Sequence, residues 1–281
     1  HQENKNEILK IEKLILNKSI STFNFKKYGN IKSNMSDGDF LQLVKKGISH
    51  CLRGDVFQIV LSRKFIQPFN GDDFNVYRKL RSINPSPYLF YFDYGNFKIF
   101  GSSPEAQLVI NNQKAEIHPI AGTFKRTGDD NYDKEKAEEL LKDDKENSEH
   151  MMLVDLARND LSRSCNNVVV EKDREIQFYS HVIHLVSKVT GYLKSKSKEI
   201  IGNTFPAGTL TGAPKYKAME LINKYETSKR QFYGGAIGMI DIHGNYNHAI
   251  IIRSFLSKNQ ALYFQAGAGV VSKSIPQNEL N

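Results

Sequence analysis

With 281 residues, 40% of them hydrophobic and 11% aromatic, the chain carries enough apolar material for a sizeable core, in one large domain or two ordinary ones, and too much for a disordered segment. It holds no run of 18 or more apolar residues and no basic-then-apolar start, which argues against a membrane-spanning helix and a secretory leader. The net charge of +8 comes from lysines scattered among Asn and Ile, with no aromatic–basic stripe, so it reads as a solvated surface and not as a nucleic-acid interface.

In chain order, Ile8, Ile11, Leu14 and Ile15 mark a helical stretch followed by a polar loop. Residues 1–35 read as the remnant of an N-terminal region and a linker, since the chain opens on His1 rather than Met, and 36–281 as the domain proper. Ser36-Asp37 is a helix cap before Phe40, Leu41, Val44 and Ile48. Cys51 and Cys165 make neither a zinc pattern nor a disulfide framework and read as thiols of a reducing compartment, the cytoplasm. Residues 55–62, 88–92, 97–100 and 106–111 are rich in β-branched and aromatic residues and read as strands, with Gly95-Asn96 a turn. Residues 129–163 turn helical, and 234–242, 246–256 and 261–271 read as three antiparallel strands, with turns at 243–245 and 257–260. Hairpins without βαβ alternation predict an α+β fold of antiparallel sheets covered by helices.

Four constellations carry chemistry. In Ser148–Leu161, helical spacing puts Glu149 on the face of Met152, Leu153 and Leu156, where a carboxylate calls for a cation; a plain acid near a helix N-terminus fits the pattern equally. Ala207–Lys215 is a Gly- and Thr-rich loop running into a helix with Pro214 in its first turn, an anion cradle or a simple capped turn, and Pro119–Thr123 is a second short loop. Under strand alternation Arg253 shares the face of Ala249, Ile251 and Phe255 and requires a carboxylate from protein or ligand. Gln265–Gly269 marks a bulge or a close ligand; no βαβ helix follows it, so a dinucleotide fingerprint is rejected.

Ten segments, in order, resemble the chorismate-utilising enzyme family, and within it the anthranilate synthase large subunits: DVFQIVLSR (55–63), NPSPYLF (84–90), GSSPE (101–105), HPIAGT (118–123), EHMMLVDLARNDL (149–161), HVIHLVS (181–187), GTLTGAPK (208–215), YGGAIG (233–238), IIRS (251–254) and QAGAGVV (265–271). The resemblance implies large antiparallel sheets packed as a sandwich with flanking helices, holding chorismate and Mg²⁺ between them. It implies a lyase that makes anthranilate and pyruvate from chorismate and ammonia, the first step of tryptophan synthesis. Glu105, His184 and Thr209 match catalytic positions: Glu105 the general acid for the leaving C4 hydroxyl, His184 a histidine linked to proton removal and pyruvate elimination. Gly122, Thr123, Tyr233, Arg253, Gly267, Ala268 and Gly269 match substrate-binding positions, and Pro87, Tyr88 and Leu89 match positions that hold feedback tryptophan.

Glu149 matches a metal carboxylate, and Glu279 supplies the first acid of a pair that completes the metal site; the second lies past Asn281, so the domain is expected to be C-terminally truncated and to bind Mg²⁺ poorly alone. Isochorismate synthases carry a lysine where this chain has Gln58, and aminodeoxychorismate synthases one where it has Ala121. Those two activities, and a non-catalytic chorismate-binding remnant, are the alternatives. No nucleophile elbow of a glutamine amidotransferase is present, so such a partner is expected to supply ammonia.

Overall fold

The computed structural model describes residues 2–17, 23–178, 182–194 and 197–280, with backbone alone for 2–4, 121–123, 125, 144–145 and 197–198. Helix α1 (Gln2–Leu16) leaves Ile8, Ile11, Leu14 and Ile15 all more than half exposed and is followed by the short strands β1 (Phe25–Lys27) and β2 (Lys32–Ser33). Helix α2 (Asp37–Leu52) begins at the expected cap: the Ser36 hydroxyl accepts the Asp39 N–H at 3.1 Å, and the Asp39 carboxylate accepts the Ser36 N–H at 3.2 Å. Strand β3 (Gln58–Gly71) starts at Gln58 rather than Asp55 and runs far beyond Ser62.

There follow α3 (Phe74–Ile83), β4 (Tyr88–Asp93), β5 (Lys98–Ser103), β6 (Ala106–Asn111), β7 (Lys114–Ile117) and β8 (Ile120–Lys125). Helices α4 (Asp130–Lys142) and α5 (Asp144–Ser162) fill the predicted helical segment. Next come β9 (Cys165–Phe178), β10 (Val182–Leu193), α6 (Ser197–Thr204), α7 (Gly208–Thr211), β11 (Gly212–Ala213) and α8 (Lys215–Tyr225). The chain ends in β12 (Ala236–Ile240), β13 (Tyr246–Ile250), β14 (Ser254–Lys258), β15 (Ala261–Val270) and α9 (Pro276–Leu280).

The strands form two antiparallel sheets. One runs β1-β3-β15-β14-β5-β4, with β2 and β11 also on β3; the other runs β12-β13-β6-β7-β10-β8, with β9 on β10. Helices α2 and α8 cover the first sheet through Val44, Ile59, Leu61, Ala218 and Val270, and α5 and α6 cover the second through Leu108, Val154, Leu161, Val189 and Ile200. The α+β reading, with large antiparallel sheets and flanking helices, holds.

Two strand readings need correction. The expected strand 246–256 is broken at 251–253, because β13 lies in one sheet and β14 in the other. The same happens between β5 and β6 at Pro104-Glu105, so two bent strands cross between the sheets side by side. At this corner Ser103 Oγ donates to the Ile250 carbonyl at 2.6 Å, Ile250 N–H to the Glu105 carbonyl at 3.0 Å, and Ser102 N–H to the Arg253 carbonyl at 3.1 Å. The loop read at Pro119–Thr123 is mostly strand β8, paired with β10 through a bulge at His184/Leu185.

Candidate active site

The corner puts Glu105 where the two sheets part. Opposite it, α7 presents Thr209, whose hydroxyl donates to Glu105 Oε1 at 2.8 Å. The pair borders a small cavity of about 50 Å³ with Gln107, His118, Leu153 and Leu156. Burial pushes the Glu105 carboxyl above its usual range, and neither the Thr209 bond nor the nearby Arg253 cation reverses that. A carboxyl whose protonated form is favoured by burial, beside an open space, is suited to give up a proton.

Strand β15 forms another wall. Its register with β3 sets Gly267 against Ser62, Ala268 against Leu61 and Gly269 against Val60. A Cβ on Gly267 would lie 2.8 Å from the Tyr233 hydroxyl, and one on Gly269 2.8 Å from Gln58 Nε2. Alternation sends Ala268 the other way, into the core under α2 and α8. Of the three expected binding positions, Ala268 therefore offers only backbone to this face. Tyr233 is buried, and desolvation pushes its hydroxyl up to about 12, so it stays a proton donor at neutral pH. Gln58 Oε1 is buried without a hydrogen-bond partner among the described residues.

Arg253 departs from the strand-face expectation. It sits in the crossover with φ +50°, exposed, and donates from Nη1 to Asn84 Oδ1 at 3.2 Å. The broken strand is the reason: alternation fails where the chain changes sheets. Tyr88 on β4 bridges the same two layers, its hydroxyl donating to Asn247 Oδ1 at 2.8 Å, while Pro87 and Leu89 are exposed.

On α5 the deepest stripe is His150, Val154, Ala157 and Leu161; Glu149, Met152, Leu153 and Leu156 lie half-buried on its flank. Leu153 and Leu156 line the Glu105 cavity, so the Glu149 stripe faces the cleft one turn further along. His184, half-buried on β10, pairs in register with Thr123. Gly122 lies on the same β8 backbone, and the Thr123 side chain is outside the described residues. Glu279, half-buried, is on α9, which packs against α2 and β15.

Among the described residues no group of three or more His, Cys, Asp or Glu side chains forms a metal cluster. The Glu105 cavity is lined by the oxygen-bearing side chains of Glu105, Gln107 and Asp160 together with the His118 imidazole; a hard cation would draw on the carboxylates of such a lining, taking one or two of them and completing its shell with ligand oxygens and water.

Sequence reasoning passed over the Asp160–Lys215 pair. Both side chains are nearly buried, Lys215 Nζ donates to the Asp160 carboxylate and to the Thr204 carbonyl at 2.8 Å, and the pair ties α5 to α8. The signal was present: Asp160 continues the Leu153–Leu156 stripe into the cavity.

Comparison with known proteins decides the family. The whole chain, residues 1–281, matches the chorismate binding enzyme family. The chain belongs to that family. Anthranilate synthase component 1 of Aquifex aeolicus (strain VF5) is 43% identical over 256 residues, which cover 90% of this chain and 52% of that protein. The crystal structure of anthranilate synthase component I from Streptococcus pneumoniae TIGR4 superposes with a TM-score of 0.88 at 38% identity, covering 99% of this chain and 63% of that one. MenF, the menaquinone-specific isochorismate synthase of Escherichia coli, shares the fold with a TM-score of 0.84 at 22% identity, covering 96% of this chain and 64% of that one. The chain spans about half the length of the curated relatives it matches. No helix among the described residues is long and apolar enough to cross a membrane.

Proposed function

We infer that this chain is the chorismate-binding catalytic part of an anthranilate synthase large subunit, which turns chorismate and ammonia into anthranilate and pyruvate. The observation that carries the reading is Glu105, a carboxyl raised by burial, held by Thr209 and set at the junction of the sheets. In this reading chorismate lies along β15. One carboxylate takes the Tyr233 hydroxyl and the backbone at Gly267 and Gly269; Arg253 offers its guanidinium to the other, and the backbone at Gly122 and Thr123 closes the far side. Ammonia forms a bond to C2 and sheds one proton to solvent, the C4–O bond breaks, and Glu105 gives its proton to the departing oxygen so that water leaves, Glu105 taking a proton back from solvent. His184 takes the C2 proton as the enolpyruvyl group departs to become pyruvate.

Gln58 and Ala121 discriminate within the family. An amide cannot activate water as a lysine does, and alanine offers no amine for a covalent ring adduct, so free ammonia is the nucleophile. A glutamine amidotransferase partner supplies it in this reading, in the cytoplasm. Glu149 and Glu279 would hold Mg²⁺, which as a Lewis acid supplies polarisation of the ring carboxylate. The Pro87–Leu89 segment is proposed to contact feedback tryptophan.

The test is anthranilate fluorescence from chorismate, Mg²⁺ and ammonium. Anthranilate and pyruvate in equal amounts support the reading. Isochorismate as the product, or no product from folded, chorismate-binding protein both as it stands and extended past Asn281, would sink it.

A further inference from the structure

Strand β3 is paired along its outer edge by β11 at Gln58–Ile59 and by β2 at Phe65–Ile66. Between them, on that outer edge, no strand among the described residues supplies partners for Val60 and Ser62. Two side chains do so instead. Glu226 Oε1 accepts the Ser62 N–H at 2.9 Å and the Ser62 hydroxyl at 2.7 Å, and Arg230 Nη2 donates to the Val60 carbonyl at 2.6 Å. The two side chains grip each other in a fork, Nε to Oε2 at 2.9 Å and Nη2 to Oε1 at 2.6 Å. Arg230 Nη1 donates to the carbonyl of Leu210, next to Thr209, and the guanidinium lies 5.9 Å from the centre of the Tyr233 ring.

Glu226 is the C-cap of α8, where a helix dipole disfavours a carboxylate, and both side chains are close to fully buried. A buried ion pair contributes little net stability, so its placement calls for another account. Val60 and Ser62 are the register partners of Gly269 and Gly267. One guanidinium thus touches the strand behind the glycines, the loop that carries Thr209, and the ring of Tyr233.

We propose that the Glu226–Arg230 pair is a positioning element that stands in for a missing strand on β3 and sets three walls of the chorismate cleft relative to one another. Planarity is what the task demands. A lysine ammonium keeps the charge but cannot hold the fork to Glu226 and both carbonyls at once. The proposal rests on chorismate as the ligand, and a groove of about 500 Å³ that borders Arg230 gives small cations access to it from outside.

The experiment measures chorismate affinity by calorimetry, anthranilate formation and Tm in the full chain for wild type, Arg230→Lys, Arg230→Ala and Glu226→Gln. Arg230→Lys is expected to weaken chorismate binding at least tenfold and to lower turnover by as much or more, with Tm shifted by only a few degrees. Millimolar methylguanidinium is expected to restore much of the affinity of Arg230→Ala, while equal sodium chloride does not. Affinity and turnover within twofold of wild type in Arg230→Lys would overturn the proposal, as would variants that lose Tm but keep affinity in their folded fraction. Should Arg230→Ala not fold, Arg230→Lys and Glu226→Gln decide. A wild type that binds chorismate without forming anthranilate removes the lyase reading alone, since the affinity comparison still decides positioning; a wild type that does not bind chorismate removes both.

Discussion

The hydroxyl of Thr209 donates to the carboxyl of Glu105 at 2.8 Å, joining the loop before α8 to the corner where two strands change sheets. Glu105→Gln keeps that acceptor and removes the proton. Turnover should fall about 10²- to 10⁴-fold, the range of a lost general acid, while chorismate affinity holds. Stability should move the other way. The folded carboxyl is raised above 4.5, so as pH rises from there the unfolded state ionises first and stability is lost. The glutamine variant escapes this and should show a higher Tm than wild type at neutral pH, checked by calorimetry from pH 4 to 8.

His248 predicts the opposite slope. Its ring is fully buried, with Nε2 facing Gln107 Oε1 at 2.8 Å, and desolvation lowers its pKa from 6.5 to about 4. The unfolded chain takes up a proton below pH 6.5 and the folded one resists until about 4. Stability present above 6.5 is therefore lost as pH falls through that window, by about 3 kcal/mol. His248→Gln should flatten this part of the profile in urea unfolding at successive pH values. An unchanged slope would assign the acid sensitivity to other groups.

How much of this was legible in the sequence depends on which forces act locally. The Ser36 cap, the α5 segment and the β15 run follow from capping and periodicity, and the structure has them. The sheet change at 251–253 does not follow, because nothing in Ile-Ile-Arg marks a strand whose two halves pair with different partners. Alternation therefore misplaced Arg253. The hairpin turn at Asn112-Gln113 uses positive φ without glycine, so the usual turn signal was missing there, whereas the turn expected at 257–260 is made by Asn259-Gln260. Glu226 and Arg230 stand in a stretch of ordinary polar residues, and only a gap in strand pairing elsewhere in the chain gives them a role.

The Asp160–Lys215 pair should be costly to break and cheap to replace. Burial raises the Asp160 carboxyl and lowers the Lys215 amine, both in the direction of neutrality, although each charge favours the other. Removing one partner strands a polar group among Leu156, Thr204 and Gly208. Asp160→Asn or Lys215→Met alone should cost about 3–5 kcal/mol, and the double replacement Asp160→Leu with Lys215→Met should recover most of it. A double-mutant cycle by urea unfolding reads the coupling; additive losses would show that the pair acts as two independent contacts.

Two glycines should behave differently when changed to alanine. Gly212 has φ +132°, and a Cβ there would lie 2.1 Å from the Gln58 carbonyl oxygen, where backbone cannot yield without losing the β11–β3 pairing. Gly212→Ala should cost about 2–4 kcal/mol through strain and lost pairing. Gly267 has no positive φ, and its backbone contact is looser, a Cβ lying 3.3 Å from the Leu61 carbonyl oxygen. Its added methyl would meet the Tyr233 hydroxyl at 2.8 Å and Val60 Cγ1 at 3.2 Å, and a hydroxyl at the end of a side chain can move aside. Moving it takes from the cleft the donor proposed for a chorismate carboxylate. Gly267→Ala should therefore keep Tm within a few degrees and weaken chorismate binding about tenfold or more, the loss of one hydrogen bond to a charged group. Chorismate titration of both variants separates the cases. A Gly267→Ala protein that loses stability yet binds normally would make Gly267 a packing residue and leave Tyr233 without its assigned role.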